Sequence, residues 1–144
     1  MNLQQQIDLK AELLLPAYKA MTTQEKADAL NALTVPRFQP VSYRDVASYF
    51  MVVDKYLVLN DATDDAAREF MLAMRTFNNF DMTNPIVETK INASLDALVT
   101  AGHLTAADKA AVLSLADAPI SRAEELGLGF IQDYDVDNAE AYNG

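Results

Sequence analysis

Apolar residues recur mostly three and four positions apart along this chain, and strict alternation of apolar and polar residues is almost absent. A spacing of three and four is typical of helices with one buried face. The pattern therefore predicts an all-α fold, with one compact domain of six to eight short helices over residues 1–144. The segment from about residue 133 is a candidate flexible tail of that domain.

The first predicted helix has an apolar face and ends near Pro16, because proline lacks an amide donor and disfavours helical backbone just before it. A second helix begins after Thr22, with Glu25 three residues later to complete a capping box. Residues 35–40 end it, since they contain two prolines. The apolar face of the first helix consists of Leu3, Ile7, Ala11 and Leu14.

A third helix is predicted to begin at Ser42, with Asp45 in its first turn. Its apolar face is unusually wide, so the helix is either central to the domain or exposes a contact surface. The stripe is Val46, Phe50, Val53 and Leu57, widened by Tyr49, Val52 and Tyr56. Polar residues at 60–65 then form a turn and cap a helix on which three large side chains align, namely Phe70, Met74 and Phe77.

The best-marked helix follows Asn84, with Pro85 at its first position and Gly102 just past its end. Its predicted core stripe is Val87, Ile91, Leu95 and Leu98. Thr105, three residues before Asp108, opens the next helix, which stops before Pro119. Residues 21–36 align with 104–119 without gaps and share five of sixteen residues, which either duplication or independent helix capping explains.

The net charge of the chain bears on whether nucleic acid or a membrane is a partner. The 144 residues include 21 acidic and 11 basic side chains, giving a net charge of -10. Such a surface repels a phosphate backbone, and the scattered basic residues form no patch for an anionic membrane. We therefore expect neither nucleic acid nor a membrane as a partner. The chain has no cysteine, which excludes disulfides, thiolate zinc sites and a thiol nucleophile.

Candidate catalytic and metal-binding chemistry is sparse. His103 is the only histidine and follows a predicted helix end, a position that favours a capping or solvated histidine over metal binding or catalysis. No serine-hydrolase or phosphate-loop motif is present. Asp133, Asp135 and Asp137 alternate like calcium ligands, but Asn138 and Gly144 stand where such a loop needs glycine and glutamate. We expect no enzyme activity, cofactor or bound metal.

Several aromatic side chains are candidate anchors for a protein partner, with packing in the core as the alternative for each. One lies between two prolines, two are seven residues apart on the third helix, and one follows the last glycine pair. They are Phe38, Tyr49, Tyr56 and Phe130.

The segment Ser121–Gly129, with the sequence SRAEELGLG, specifies a short helix with both ends marked. Ser121 caps its start and Glu124 is placed to reach back to the Ser121 amide. Gly127 is expected at positive φ, with Leu128 folding back onto the helix. Arg122 is predicted to face solvent, where it is a further candidate partner contact. The structural positions are Ser121, Glu124, Leu126, Gly127, Leu128 and Gly129.

This box, followed by Asp135-Val136 and a polar helical tail, resembles the C-terminal end of small virion-associated proteins of tailed bacteriophages. The resemblance implies a non-enzymatic structural protein of the tail, adsorption apparatus or connector. Such a protein contacts other virion proteins in a homo- or hetero-oligomeric assembly and joins the virion in the host bacterial cytoplasm. The acidic composition leaves as an alternative a cytosolic regulatory module that binds a basic host or phage protein, and a metal-dependent hydrolase is a third class.

Overall fold

The structure, a computed structural model that describes residues 1–144, is 62% helical and confirms the all-α prediction. It has nine α-helices and a single two-stranded sheet. The ninth helix arises because the predicted third helix is divided in two. The chain forms two compact units, one made of residues 1–37 and 119–144 and the other of residues 38–118.

The first unit combines the two end segments of the chain. Its last helix, α9 (Asp133–Ala141), packs on both α1 (Leu3–Leu13) and α2 (Thr23–Asn31). Val136 and Ala139 on α9 are fully buried. The segment from residue 133 is therefore a packed helix and not a flexible tail. The elements of the unit are α1 (Leu3–Leu13), a 3-10 turn (Pro16–Tyr18), α2 (Thr23–Asn31), α8 (Arg122–Glu125) and α9 (Asp133–Ala141).

Helix α1 is capped by Asn2 and buries the opposite face from the one its sequence pattern suggested. Leu9 and Leu13 enter the core of the first unit together with Glu12. The predicted apolar face is exposed along its whole length. The exposed residues are Leu3, Ile7, Ala11 and Leu14.

The second unit has its own core around four neighbouring aromatic rings. Phe50 and Phe70 have ring centroids 6.0 Å apart, and Tyr43 lies 5.2 Å from Phe80. Its two short strands pair antiparallel, Val41 opposite Phe80. The elements are β1 (Val41–Ser42), α3 (Tyr43–Val52), α4 (Tyr56–Asp61), α5 (Asp65–Thr76), β2 (Asn79–Phe80), α6 (Pro85–Thr100) and α7 (Ala106–Ser114).

Helix α3 ends earlier than predicted because Asp54 adopts a left-handed conformation, with φ of 58°. The Lys55 amide donates to the Phe50 carbonyl, and the Asp54 amide donates to Met51, as in a Schellman motif. The chain turns there into α4, and Leu57 points into solvent instead of extending the core stripe.

Most predicted helix starts are confirmed. Thr22 and Thr105 both form complete capping boxes, and Asn84 caps α6 ahead of Pro85. Ser42 caps α3 through the Arg44 amide alone. No helix in the structure is both long enough and apolar enough to span a membrane.

Candidate functional site

An open groove of about 660 Å³ lies between α5 and α6 in the second unit. Its floor is formed by the buried rings of Phe70 and Phe80 and by Ile91. Tyr43 and the strand β2 contribute to one part of the lining. The volume lies within the range of about 300–1,000 Å³ that ligand sites in proteins occupy.

Three large apolar side chains of the groove are left in solvent. Leu72 on α5 is 64% exposed, Phe77 at the end of α5 is 61% exposed, and Ile86 in the first turn of α6 is 80% exposed. Phe77 leaves the helical face predicted for it because α5 ends at Thr76 and Phe77 has extended backbone. These three residues are called the rim. They make this groove an exposed apolar surface of the kind that proteins use for binding.

The charged side chains in the lining are already engaged by neighbours. Lys90 on α6 donates to Glu69 on α5 at 2.7 Å, and both side chains are well exposed. Asp81 accepts hydrogen bonds from the amide and the hydroxyl of Thr83, and the hydroxyl bond is the main cause that lowers the pKa of Asp81. The chemistry of the groove is therefore burial of apolar surface, with few groups to orient a polar ligand.

His103 follows α6 and contacts the residue that caps α5, so it connects the two helices that form the groove. Its Nε2 lies 2.5 Å from Oδ1 of Asp64, whose other oxygen accepts from the Ala67 amide and caps α5. The hydrogen bond from His103 is the largest cause that lowers the pKa of Asp64. His103 follows Gly102, which ends α6 at positive φ. No group of three or more histidine, aspartate or glutamate side chains is arranged to hold a metal ion.

The predicted aromatic anchors do not form one site. Tyr49 packs on the core of the second unit and donates its hydroxyl to Asp108 at 2.8 Å, and Tyr56 packs on the same core. Phe38 is partly exposed beside Asp117, and Phe130 is largely exposed in the first unit. None of the four lines the groove.

Sequence reasoning missed Leu72, Phe77 and Ile86 as surface residues. Ile86 carried a usable signal, because it is a large apolar residue one position off the core stripe that begins at Val87. Leu72 likewise lies between the buried Met71 and the partly buried Ala73. A large apolar residue off the buried stripe of an amphipathic helix is therefore the pattern that indicates a contact surface.

The structural interpretation of Ser121–Gly129 is largely confirmed. The Ser121 hydroxyl accepts from the Glu124 amide at 3.0 Å, and Gly127 has φ of 69°. The Leu128 amide donates to the Ala123 carbonyl at 2.8 Å, and the Leu128 side chain is buried. The reciprocal bond from the Ser121 amide to the Glu124 carboxylate is not formed.

The prediction that Arg122 faces solvent freely was wrong. Arg122 belongs to a network of four side chains in the first unit. Its Nε and Nη2 atoms donate to the two oxygens of Glu12, and Nη1 donates to Glu125 at 2.6 Å. Tyr18 donates its hydroxyl to Glu12 at 3.1 Å. The bonds from Arg122 are the main cause that lowers the pKa of Glu12, and burial is the main cause that raises the pKa of Tyr18.

Comparison with known proteins yields no match to this chain among protein-family models, curated proteins or solved structures. The groove, the rim and the box at 121–129 are therefore the features on which a functional proposal depends.

Proposed function

We propose that this protein is a non-enzymatic, protein-binding component of a tailed-phage particle, and that the groove between α5 and α6 is its binding surface. The exposed rim is the observation that carries the proposal. Burying one leucine, isoleucine or phenylalanine side chain is worth about 1.5–3 kcal/mol, so three such side chains are sufficient anchors for a partner.

The shape of the groove favours a protein partner over a small molecule. A small ligand lying on Phe70, Phe80 and Ile91 would contact the rim only where the rim side chains line the groove. A helix or loop placed along the groove would cover the floor and the rim together, as in helix-in-groove recognition. The Glu69–Lys90 ion pair lies at the surface, where such a pair contributes only about 0–1 kcal/mol and is not an obstacle to docking.

The phage context rests on the resemblance of the segment Ser121–Gly129 to the end of small virion-associated proteins. In that context the partners are other virion proteins of the tail, adsorption apparatus or connector, and assembly takes place in the host bacterial cytoplasm. The box itself supplies local structure in the first unit, while the groove in the second unit supplies the contact.

Incorporation into particles tests the proposal, with Leu72→Gln as the groove variant and Leu57→Gln as the matched control. Both leucines belong to helices of the second unit and have similar exposure, 64% and 69%, but only Leu72 lines the groove. A phage that lacks the gene is complemented with each version, and the protein is quantified by mass spectrometry in gradient-purified particles.

We expect the wild-type chain and Leu57→Gln to sediment with particles and Leu72→Gln to be depleted from them. Absence of the wild-type chain from particles would reject the virion context. Equal incorporation of all three versions would reject the groove as the binding surface.

A further inference from the structure

A smaller hollow of about 360 Å³ adjoins the groove in the second unit, and it is called the side hollow. Tyr43 and Phe77 line both the groove and the side hollow. The remaining walls come from α3, from α5 and from Tyr56, the first residue of α4. A protein segment that lies in the groove therefore has the side hollow next to it.

The charge of the side hollow is opposite to that of the whole chain. Arg44 on α3 and Arg75 on α5 line it, and no aspartate or glutamate does. Neither guanidinium forms a salt bridge, although the chain has 21 acidic and only 11 basic side chains. Arg75 donates to the neutral amide oxygen of Asn60 instead. The side hollow is thus a positive site without a counter-charge.

Two uncharged hydrogen-bond donors accompany the arginines. Tyr56 and Asn78 line the side hollow, and the side chain of neither is engaged by a hydrogen bond within the protein. A carboxylate accepts several hydrogen bonds through its two oxygens, and the forked guanidinium group matches its geometry. The lining is therefore suited to an acidic side chain.

We propose that the segment bound in the groove carries an aspartate or glutamate whose carboxylate enters the side hollow and pairs with Arg44 and Arg75. This inference rests on the proposed function of the groove and states the chemistry of its partner. The partner segment presents apolar residues to the floor and the rim, and its acidic residue lies beside Phe77.

The net charge of -10 does not prevent this pairing. Charges elsewhere on the surface are screened beyond a Debye length of about 8 Å at physiological salt, whereas the two guanidiniums contact the carboxylate directly. Such a pair determines which partner is accepted more than how tightly it binds. The rim supplies most of the affinity, and the arginines select the sign of the partner's charge.

Selection from a library of random 12-residue peptides, with the full chain immobilised at about 150 mM NaCl, tests the inference. We expect the selected peptides to combine large apolar residues three or four positions apart with an aspartate or glutamate. One selected peptide is then synthesised with its acidic residue intact and with glutamine in its place. Fluorescence anisotropy should show binding to the wild-type chain about fivefold weaker for the glutamine peptide.

Variants of the protein test where the carboxylate binds. In the double variant Arg44→Gln/Arg75→Gln the two peptides should bind equally, because the charged partners are gone. Arg68→Gln is the matched control, since Arg68 is an exposed arginine of α5 that lines neither the groove nor the side hollow. It should keep the fivefold preference for the acidic peptide. Thermal melts check that all variants are folded.

Other results separate this inference from the proposed function of the groove. Selected peptides that lack an acidic residue, or a preference that persists in the double variant, would overturn the inference. If Leu72→Gln still weakens peptide binding in that case, the groove is retained as the binding surface. If no peptide binds, or if binding does not depend on Leu72, the groove fails as the binding surface and the inference fails with it.

Discussion

Arg122 clamps the carboxylate of Glu12 through two hydrogen bonds of 2.9 and 2.8 Å, although the two residues lie 110 positions apart in the chain. The carboxylate is only 9% exposed, and Arg122 on α8 is its sole cationic partner within hydrogen-bond distance. The pair therefore joins the N-terminal helix α1 to the C-terminal segment within the first unit.

Replacing Arg122 with alanine should destabilise the protein by about 2 kcal/mol, because a largely buried carboxylate loses its charged partner. The partial exposure of the guanidinium keeps the cost below that of a fully buried pair. Chemical denaturation measures the change, and Arg37→Ala, an exposed arginine of the same unit, should change stability by less than about 0.5 kcal/mol. If Arg122→Ala lowers the free energy of unfolding as little as Arg37→Ala does, Arg122 has no structural role, as the sequence predicted.

Acidification should remove the contribution of Glu12. The pKa of Glu12 in the folded protein is lowered, chiefly by Arg122, so its stabilising effect is complete above the unfolded pKa of about 4.3 and is lost as pH falls through the folded pKa. Unfolding free energies of wild type and Glu12→Gln, measured from neutral pH downwards, should converge in that acidic range. A constant difference between them would show that ionisation of Glu12 does not stabilise the fold.

Gly127→Val should destabilise the protein by about 1 kcal/mol or more, because a β-branched residue disfavours the positive φ found there. No atom lies within 4 Å of the position that a β-carbon would occupy, so the cost is conformational and not a steric clash with neighbours. Gly127→Asn should recover much of the loss, since asparagine tolerates this conformation. Thermal melts of the two variants measure these changes. If both variants lose the same stability, the positive φ at Gly127 is not the cause.

Salt separates the proposed virion role from the alternative of an acidic regulatory module. An interface based on burial of the rim should keep its affinity for a virion partner at high ionic strength, whereas recognition of a basic protein by surface charge should weaken steeply. The measurement is affinity for an identified partner, with Leu72→Gln as the groove variant and Leu57→Gln as its control. A steep loss of affinity with salt that Leu72→Gln does not affect would favour the regulatory module.

Helix starts were predictable because their signals are local. Thr22, Asn84 and Thr105 each bond to amides two or three residues away, so no distant part of the chain is needed to recognise them. The end of α3 was not predictable in the same way, because Asp54 occupies the left-handed position that glycine usually marks. Helix α4 was missed for that reason.

The orientation of helices and the groove itself depend on distant partners. Helix α1 has apolar residues on two sides, and the docking of α9 decides that Leu9 and Leu13 are the ones buried. Leu72 and Phe77 of the α5 segment line the same groove as Ile86 of α6, which no periodicity within one helix reveals. The clamp on Glu12 is a still longer-range case, because its partner lies near the other end of the chain.

The first unit is discontinuous in sequence, and this determines the order in which the chain can fold during synthesis. All the residues of the second unit leave the ribosome before α8 and α9, so that unit can fold while the core around Leu9 and Leu30 is still incomplete. Closing the first unit then requires contacts of very large sequence separation, which form slowly. Once the second unit has folded, it shortens the effective loop between the two segments of the first unit. The core side chains of α1 and α2 therefore stay exposed for the longest time before they are buried.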